Sequence, residues 1–269
     1  MQPMFSFFKR AQGTGLLFVF ILLLSASCRK ADETVNIDSF IAHAGGSIEG
    51  YKYTNSLEAI NLSYQKGCRL FELDLILTAD NQLVAAHSWS DFKKMTDFPE
   101  PWDDTPLTEE QFLSLKIHNQ YRPMNMDLIN EWFRTHPDAI LVTDKINSPE
   151  SLLNKFLFKD RLIMELFSWE AVNEAIELDI IPMPSEDLIL SANDIEKTLS
   201  DLNIEHIAVS QNAVSKNLEL FKKLKARGIK TYVYSLTKKK DESYILKKMM
   251  DYVYGMYVDN MDILSIPDR

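Results

Sequence analysis

Cysteine is scarce: the 269-residue chain has two, Cys28 and Cys68. That excludes a disulfide framework and the paired-cysteine spacing of a zinc site. Cys68, at the start of a strand-like run, is expected to pack as a small apolar residue. Long apolar runs are lacking as well. The N-terminal run Leu16–Leu24 has nine residues, against roughly 20 needed to span a bilayer. Positive charge is in deficit, with 29 Lys and Arg against 39 Asp and Glu, a formal net charge of −10. That argues against nucleic acid as a partner. It does not exclude a small anionic ligand, because only the charge around a site matters there. Tandem repeats and signs of a second domain are absent, so the length points to one large domain with a sizeable core.

What is present begins with an export-type leader. Lys9 and Arg10 precede the apolar run, and Ser25-Ala-Ser follows it ahead of Cys28. Residues 1–27 read as a signal peptide. Small residues before a cysteine resemble a bacterial lipoprotein processing site, although Leu24 stands four residues before the cysteine rather than three. Cys28 is the expected lipidation site, with simple secretion and a retained anchor as the alternatives. On this reading 28–38 is a polar tether and 39–269 the folded domain. The protein is expected to be exported to the cell envelope, facing periplasm or cell surface, and held to the membrane by a lipid anchor.

From Ser39 onward strand-like and helix-like segments alternate. Strands are expected near 40–44, 70–77, 139–143, 161–166, 179–183, 206–210, 230–235 and 255–258. Helices are expected near 56–66, 126–135, 148–157, 169–178, 193–202, 215–227 and 240–250. Eight strands separated by helices is the count of an α/β fold of the (β/α)8 TIM barrel type. The run 83–87 is then a β-hairpin extension after strand 2. Residues 89–125 read as irregular, with a short helix at 109–115. Their aromatics either cover a substrate or anchor the loop on the barrel.

The stretch from His43 to His87 carries the chemistry. It reads Ile41-Ala-His-Ala-Gly-Gly, then Tyr53-Thr-Asn-Ser, then Phe71-Glu-Leu-Asp-Leu, then Leu83-Val-Ala-Ala-His87. Side chains in a strand repeat every two residues, so Glu72 and Asp74 share one face. Two carboxylates on one face repel unless a cation or hydrogen bonds resolve them. A turn centred on Asp80-Asn81 would place His87 opposite Asp74. Strand ends add Asp144-Lys145, Glu165, Gln211, Tyr234 and Asp259 to the same barrel mouth. Asn55 either caps the helix at 56–66 or contacts substrate. His118, His136 and His206 lack such company.

These motifs, in this order and spacing, resemble the glycerophosphodiester phosphodiesterase family, related to phosphatidylinositol-specific phospholipases C. The family's His-Arg-Gly, Glu-Asn-Thr, Glu-x-Asp, Thr-x-Asp-Gly and His-Asp are matched by His43-Ala44-Gly45, Thr54-Asn55-Ser56, Glu72-Leu73-Asp74, Thr78-Ala79-Asp80-Asn81 and His87-Ser88. Leu141-Val-Thr-Asp-Lys145 resembles its Ile-Glu-x-Lys strand end, where the Glu is a metal ligand and the Lys meets phosphate. Aligned on the lysine, Thr143 would take the ligand position; a carboxylate suits a metal better and favours Asp144. Ala44 replaces an arginine that would fork onto phosphate oxygens, and Ser88 replaces the aspartate after the second histidine.

The resemblance implies a metal-dependent phosphodiesterase acting on glycerophosphodiesters or a related phospholipid-headgroup diester. Glu72, Asp74 and Asp144 would hold one divalent cation, Ca²⁺ or Mg²⁺ for an all-oxygen set. His43 and His87 would be general acid and base. Lys145, Asn55 and Glu165 would contact substrate, or Glu165 would only hydrogen-bond within the mouth. The alternatives are a surface binding lipoprotein of the same fold that has lost turnover, and a phospholipase C-like lyase forming a cyclic phosphate.

Overall fold

The computed structural model describes residues 37–235 and 241–265. The leader, Cys28 and the tether up to residue 36 lie outside them. Among the described residues no helix is long and apolar enough to cross a membrane.

Strands and helices follow one another as the alternating pattern requires. β1 (Phe40–Ala42) leads through α1 (Leu57–Gln65) to β2 (Leu70–Leu77) and its hairpin arm β3 (Leu83–Ala85). Then come α2 (Trp89–Lys94), α3 (Glu109–Ser114), α4 (Met126–Thr135), β4 (Ile140–Asp144), α5 (Pro149–Leu153) and β5 (Leu162–Leu166). The chain continues with α6 (Trp169–Glu177), β6 (Ile181–Pro184), α7 (Glu186–Leu190), α8 (Ile195–Asp201) and β7 (His206–Ser210). It ends with α9 (Gln211–Lys216), α10 (Leu218–Ala226), β8 (Lys230–Tyr234), α11 (Glu242–Lys248) and β9 (Gly255–Val258). Short polar side chains start the helices. Ser56, Asn125, Ser168 and Ser210 each accept a hydrogen bond from a backbone N–H in the first turn, satisfying donors the helix cannot pair itself.

Eight of the strands form a parallel barrel in the order β6-β5-β4-β2-β1-β9-β8-β7, with β3 antiparallel on β2. The expected (β/α)8 barrel with a hairpin after its second strand is therefore the observed fold. The ends of the hydrogen-bonded order are β6 and β7, and the sequence of β6 explains why. Ser185 donates to the Leu166 carbonyl on the β5 side, so the alternate positions 182 and 184 face β7. Both are proline and have no N–H to give.

Inside the barrel one layer is apolar: Ile41, Leu70, Val142, Ile163, Met183, Ala208, Tyr232 and Tyr257 pack together. Two residues further along these strands the inward positions turn polar. They are His43, Glu72, Asp144, Glu165, Ser185, Ser210, Tyr234 and Asp259. The two-residue period of a strand thus carries a dry plug and an ionisable mouth on the same elements. Outward-facing residues such as Phe71, Leu73, Leu141 and Val209 pack against the helices as the main core.

The region 89–125 is more ordered than its sequence suggests. It contains α2 as well as α3, and Val84, Trp89, Phe92, Phe112, Ile117 and Tyr121 form a core of their own. The Lys93 ammonium, almost fully buried, is tied to Asp103 at 2.7 Å. Other boundaries also differ. The segment 215–227 is two helices broken at Asn217, the segment 148–157 holds only the short α5, and α7 was not expected at all.

The hairpin register differs by one residue from the two-residue turn. Leu75 pairs with Ala85 and Leu77 with Leu83. Asn81 sits at φ 65, closing a three-residue loop between Thr78 and Gln82. Ala86, rather than His87, therefore lies opposite Asp74, its N–H donating to the Asp74 carbonyl at 2.8 Å.

His206 occupies the inward face at the start of β7, 6 % exposed, with its Nδ1 unpartnered among the described residues. Burial, then the charge of Lys230, pushes its pKa down to about 4. At pH above about 6.5 both folded and unfolded forms carry a neutral ring, so stability is unaffected. As pH falls from about 6.5 toward 4 the unfolded chain takes a proton that the folded one refuses, and stability declines. Urea unfolding at pH 7 and pH 5 is expected to reveal this loss, and His206→Leu is expected to reduce it by about 2 kcal/mol. An unchanged pH dependence in that variant would remove His206 as the cause.

Candidate active site

Strand parity brings three acids together. In the parallel pairing of β2 with β4, Glu72 lies beside Val142 and Asp74 beside Asp144. Inward-facing oxygens of Glu72, Asp74 and Asp144 all lie within 4.8 Å of one another. Thr143 is one step off this parity, fully buried among the outer layer, so Asp144 is the β4 residue that faces the mouth.

Glu72 and Asp74 are each 2 % exposed. Burial, followed by the charges of Asp74 and Asp144, raises the Glu72 pKa well above its ordinary value. Burial raises Asp74 too, against the opposing hydrogen bond from Asn55. Three groups offset this cost. The Ala44 N–H donates to Glu72 Oε2 at 2.6 Å. Asn55 donates through Nδ2 to Asp74 Oδ2 at 2.9 Å and accepts from the Asp74 N–H at 3.0 Å. Lys145 Nζ lies 3.1 Å from Asp144 Oδ2 and 4.0 Å from Asp74 Oδ1. The helix cap assigned as one option to Asn55 belongs instead to Ser56; both ends of the Asn55 amide hold Asp74.

Among the described residues Glu72 Oε1 remains buried with no partner. A buried carboxylate oxygen without a donor is rare. This one lies in the cluster of three carboxylates, whose oxygens are the donor type that could hold a metal ion.

His43 and His87 each have a carboxylate at Nδ1. His43 Nδ1 lies 2.9 Å from Asp259 Oδ1, and Lys52 holds the other Asp259 oxygen at 2.6 Å. Burial alone would raise Asp259, but the His43 and Lys52 contacts bring it below its ordinary value. His87 Nδ1 lies 2.9 Å from Asp91 Oδ2, which also accepts from Ser88 Oγ at 2.8 Å. The aspartate missing at position 88 is thus supplied one helical turn later, by Asp91 on α2. With Nδ1–H bonded to a carboxylate, the neutral ring keeps Nε2 as its free basic atom.

Tyr53 stands between the two rings, edge-on to His43 at 4.7 Å and to His87 at 5.3 Å between centroids. Neither Tyr53 nor Asp91 was marked by the sequence pattern. Glu165 is buried, accepts from Tyr257 Oη at 3.0 Å, and is pushed up to about 8 by burial and then by Asp144. His118 stacks on Tyr51 and His136 on Trp132, both outside the mouth.

A cavity of about 520 Å³ is lined by His43, Tyr53, Glu72, Asp74, His87, Asp144, Lys145 and Glu165. A second, of about 630 Å³, shares His43, Tyr53 and Tyr257 with it and extends over Lys52, Glu242 and Asp259. His43, Glu72, Asp74, His87, Asp144, Lys145, Glu165 and Tyr234 line the first cavity and Asn55 braces Asp74, whereas Gln211, the first residue of α9, lines neither cavity.

Solved structures with the same fold include a glycerophosphodiester phosphodiesterase from Agrobacterium tumefaciens, at 16% identity and TM-score 0.64, covering 85% of this chain and 99% of that one. Another, from Parabacteroides distasonis, has 18% identity and TM-score 0.66, with 84% of each chain covered. A phosphodiesterase from Oleispira antarctica, in complex with the product sn-glycerol-3-phosphate, has 19% identity and TM-score 0.64, covering 84% of this chain and 95% of that one. At such identities the likeness is one of fold. No curated protein matches. Residues 43–157, which hold His43, His87 and all three acids, match the model of the Glycerophosphoryl diester phosphodiesterase family.

Proposed function

We propose that the chain is an exported, metal-dependent phosphodiesterase that hydrolyses glycerophosphodiesters or a related phospholipid-headgroup diester. The observation that carries this reading is the pair His43–Asp259 and His87–Asp91, set on either side of Tyr53 beside three clustered acids. The sn-glycerol-3-phosphate held by the Oleispira phosphodiesterase supports a substrate of this size and charge. Export rests on the leader, with Cys28 as the lipidated residue and the membrane as the site of attachment.

Glu72, Asp74 and Asp144 would hold one divalent cation, Ca²⁺ or Mg²⁺. When bound, it supplies a positive charge that polarises the phosphoryl group and acidifies an adjacent water or hydroxyl. The protein's own groups do the rest. One histidine takes the proton of the attacking oxygen at Nε2, and the other delivers a proton to the departing alcohol oxygen. Asp259 and Asp91 keep each ring in the tautomer and orientation this needs. Lys145 places its ammonium beside the acids, where it balances the negative charge of the phosphate. Asn55 contributes by fixing Asp74, and Glu165 by its bond to Tyr257 in the mouth wall.

Turnover of a glycerophosphodiester panel with Ca²⁺, Mg²⁺ or a chelator tests the reading. Chelator-sensitive hydrolysis is expected, with kcat falling about 10²–10⁴-fold in His43→Ala and in His87→Ala, the usual worth of a general acid or base. Wild-type turnover in either variant would overturn the mechanism. Saturable diester binding without product would mark a binding protein instead, and a cyclic phosphate product would mark a lyase.

A second test separates metal binding from catalysis. In Glu72→Gln the amide oxygen can still accept from Ala44, while the repulsion among buried carboxylates falls. The chelator-treated variant is expected to melt at a higher temperature than chelator-treated wild type. It is also expected to lose the stabilisation that Ca²⁺ or Mg²⁺ gives the wild type. A cation-induced rise in melting temperature that survives this substitution would place the metal elsewhere.

A further inference from the structure

The anionic oxygens of a diester in this mouth need donors that are not already bonded to a carboxylate. Among the described residues the two nearby ammonium groups are both engaged: Lys52 lies 2.6 Å from Asp259, and Lys145 3.1 Å from Asp144. Tyr53 is different. Its side chain lines both cavities, at their shared wall. Its ring lies edge-on to both histidines. Among the described residues its hydroxyl takes no hydrogen bond. Burial, then the charge of Asp259, raises the phenol above its ordinary value, which keeps it a donor at neutral pH.

The backbone supports the same assignment. Tyr53 sits at φ 58, a left-handed conformation that a bulky side chain adopts only when its surroundings impose it. The surroundings are tight on both sides. Tyr51 and Ile48 exchange backbone hydrogen bonds at 2.9 Å, and the Asn55 N–H donates to the Ala44 carbonyl at 3.1 Å. Thr54 and Ser56 are linked through their hydroxyls at 3.0 Å. Residues held in such conformations concentrate at functional sites. Ala44, Asn55 and Lys145 around the same mouth also have positive φ.

We infer that Tyr53 is a catalytic residue, its phenol donating a hydrogen bond to a non-bridging oxygen of the phosphodiester held between His43 and His87. The inference rests on the proposed diesterase reading and extends it. The ring fixes the separation of the two histidines, and the hydroxyl meets the charge that builds on the phosphoryl oxygens during displacement. Neither role is open to an aliphatic side chain.

Tyr53→Phe keeps the ring and removes only the donor. Its kcat/KM for whichever diester the wild type turns over is expected to fall about 10- to 100-fold, the worth of a hydrogen bond to a charged group. Its melting temperature should match the wild type, because the hydroxyl has no partner to lose among the described residues. Wild-type kcat/KM in Tyr53→Phe would overturn the inference and leave the diesterase reading intact. If the wild type turns over no diester, the diesterase reading fails, and calorimetric binding of sn-glycerol-3-phosphate decides on Tyr53. A Kd about 10-fold or more weaker in Tyr53→Phe upholds its contact with the phosphate; equal affinity, or no binding by the wild type, overturns it.

Discussion

The burial of Glu72 and Asp74 is the constraint to which the surrounding structure answers. Two carboxylates at 2 % exposure, with Asp144 in the next strand at the same level, would be costly in an apolar barrel. Their neighbours are arranged to offset that cost. The Ala44 amide reaches Glu72 only because Ala44 takes φ 47 in the turn after β1. Asn55, at the same φ of 47, reaches Asp74 with both ends of its amide. Lys145, at φ 70, turns its ammonium back over the acids. The left-handed backbone at these positions, unfavourable by itself, is what brings donors to the acids.

The glycine pair after β1 serves the same end. A Cβ on Gly46 would stand 2.2 Å from the Ser63 hydroxyl on α1, and that hydroxyl donates to the Gly45 carbonyl at 2.7 Å. The turn is thereby clamped against α1, which starts one residue after the Ser56 cap and two after Asn55. The segment from His43 to Ser56 thus behaves as one braced loop. It presents a histidine, a tyrosine, a backbone donor and an amide to the mouth, and it is held on the barrel by β1 at one end and α1 at the other.

Much of this was legible in the sequence, and what was not has physical reasons. The strand positions, the parity of Glu72 with Asp74, and the gathering of His43, Asp144, Glu165 and Asp259 at one end follow from a two-residue period and a parallel barrel. The choice of Asp144 over Thr143 followed from ligand chemistry, and the barrel's parity agrees. The hairpin register was off by one because Asn81 can adopt the left-handed conformation and close a three-residue loop. Composition alone does not separate that loop from a two-residue turn. Helix α2 leaves no such trace, because Trp89 and Phe92 face an insertion core rather than the barrel and form no stripe pointing at the main core. Tyr53 was missed for a similar reason: a tyrosine in a polar turn carries no periodic signal, and its importance lies in the backbone conformation imposed on it.

The partners of the two histidines come from distant parts of the chain, and this bears on how the site is assembled. Asp259 follows β9, whose pairing with β1 sets Val258 beside Ala42 and so brings Asp259 beside His43. The His43 pair therefore forms only when the last strand closes on the first. Asp91 lies on α2, four residues after His87, and needs no distant contact to find its partner. Its place over the mouth depends instead on the insertion core and on the Lys93–Asp103 tie that anchors α2. One pair is thus tied to closure of the barrel and the other to folding of an insertion, and Tyr53 is the side chain that touches both rings. A loss of either tertiary support would leave the acidic cluster of β2 and β4 in place while separating the histidines from it. Under the proposed mechanism, that division would make cation binding and turnover separable.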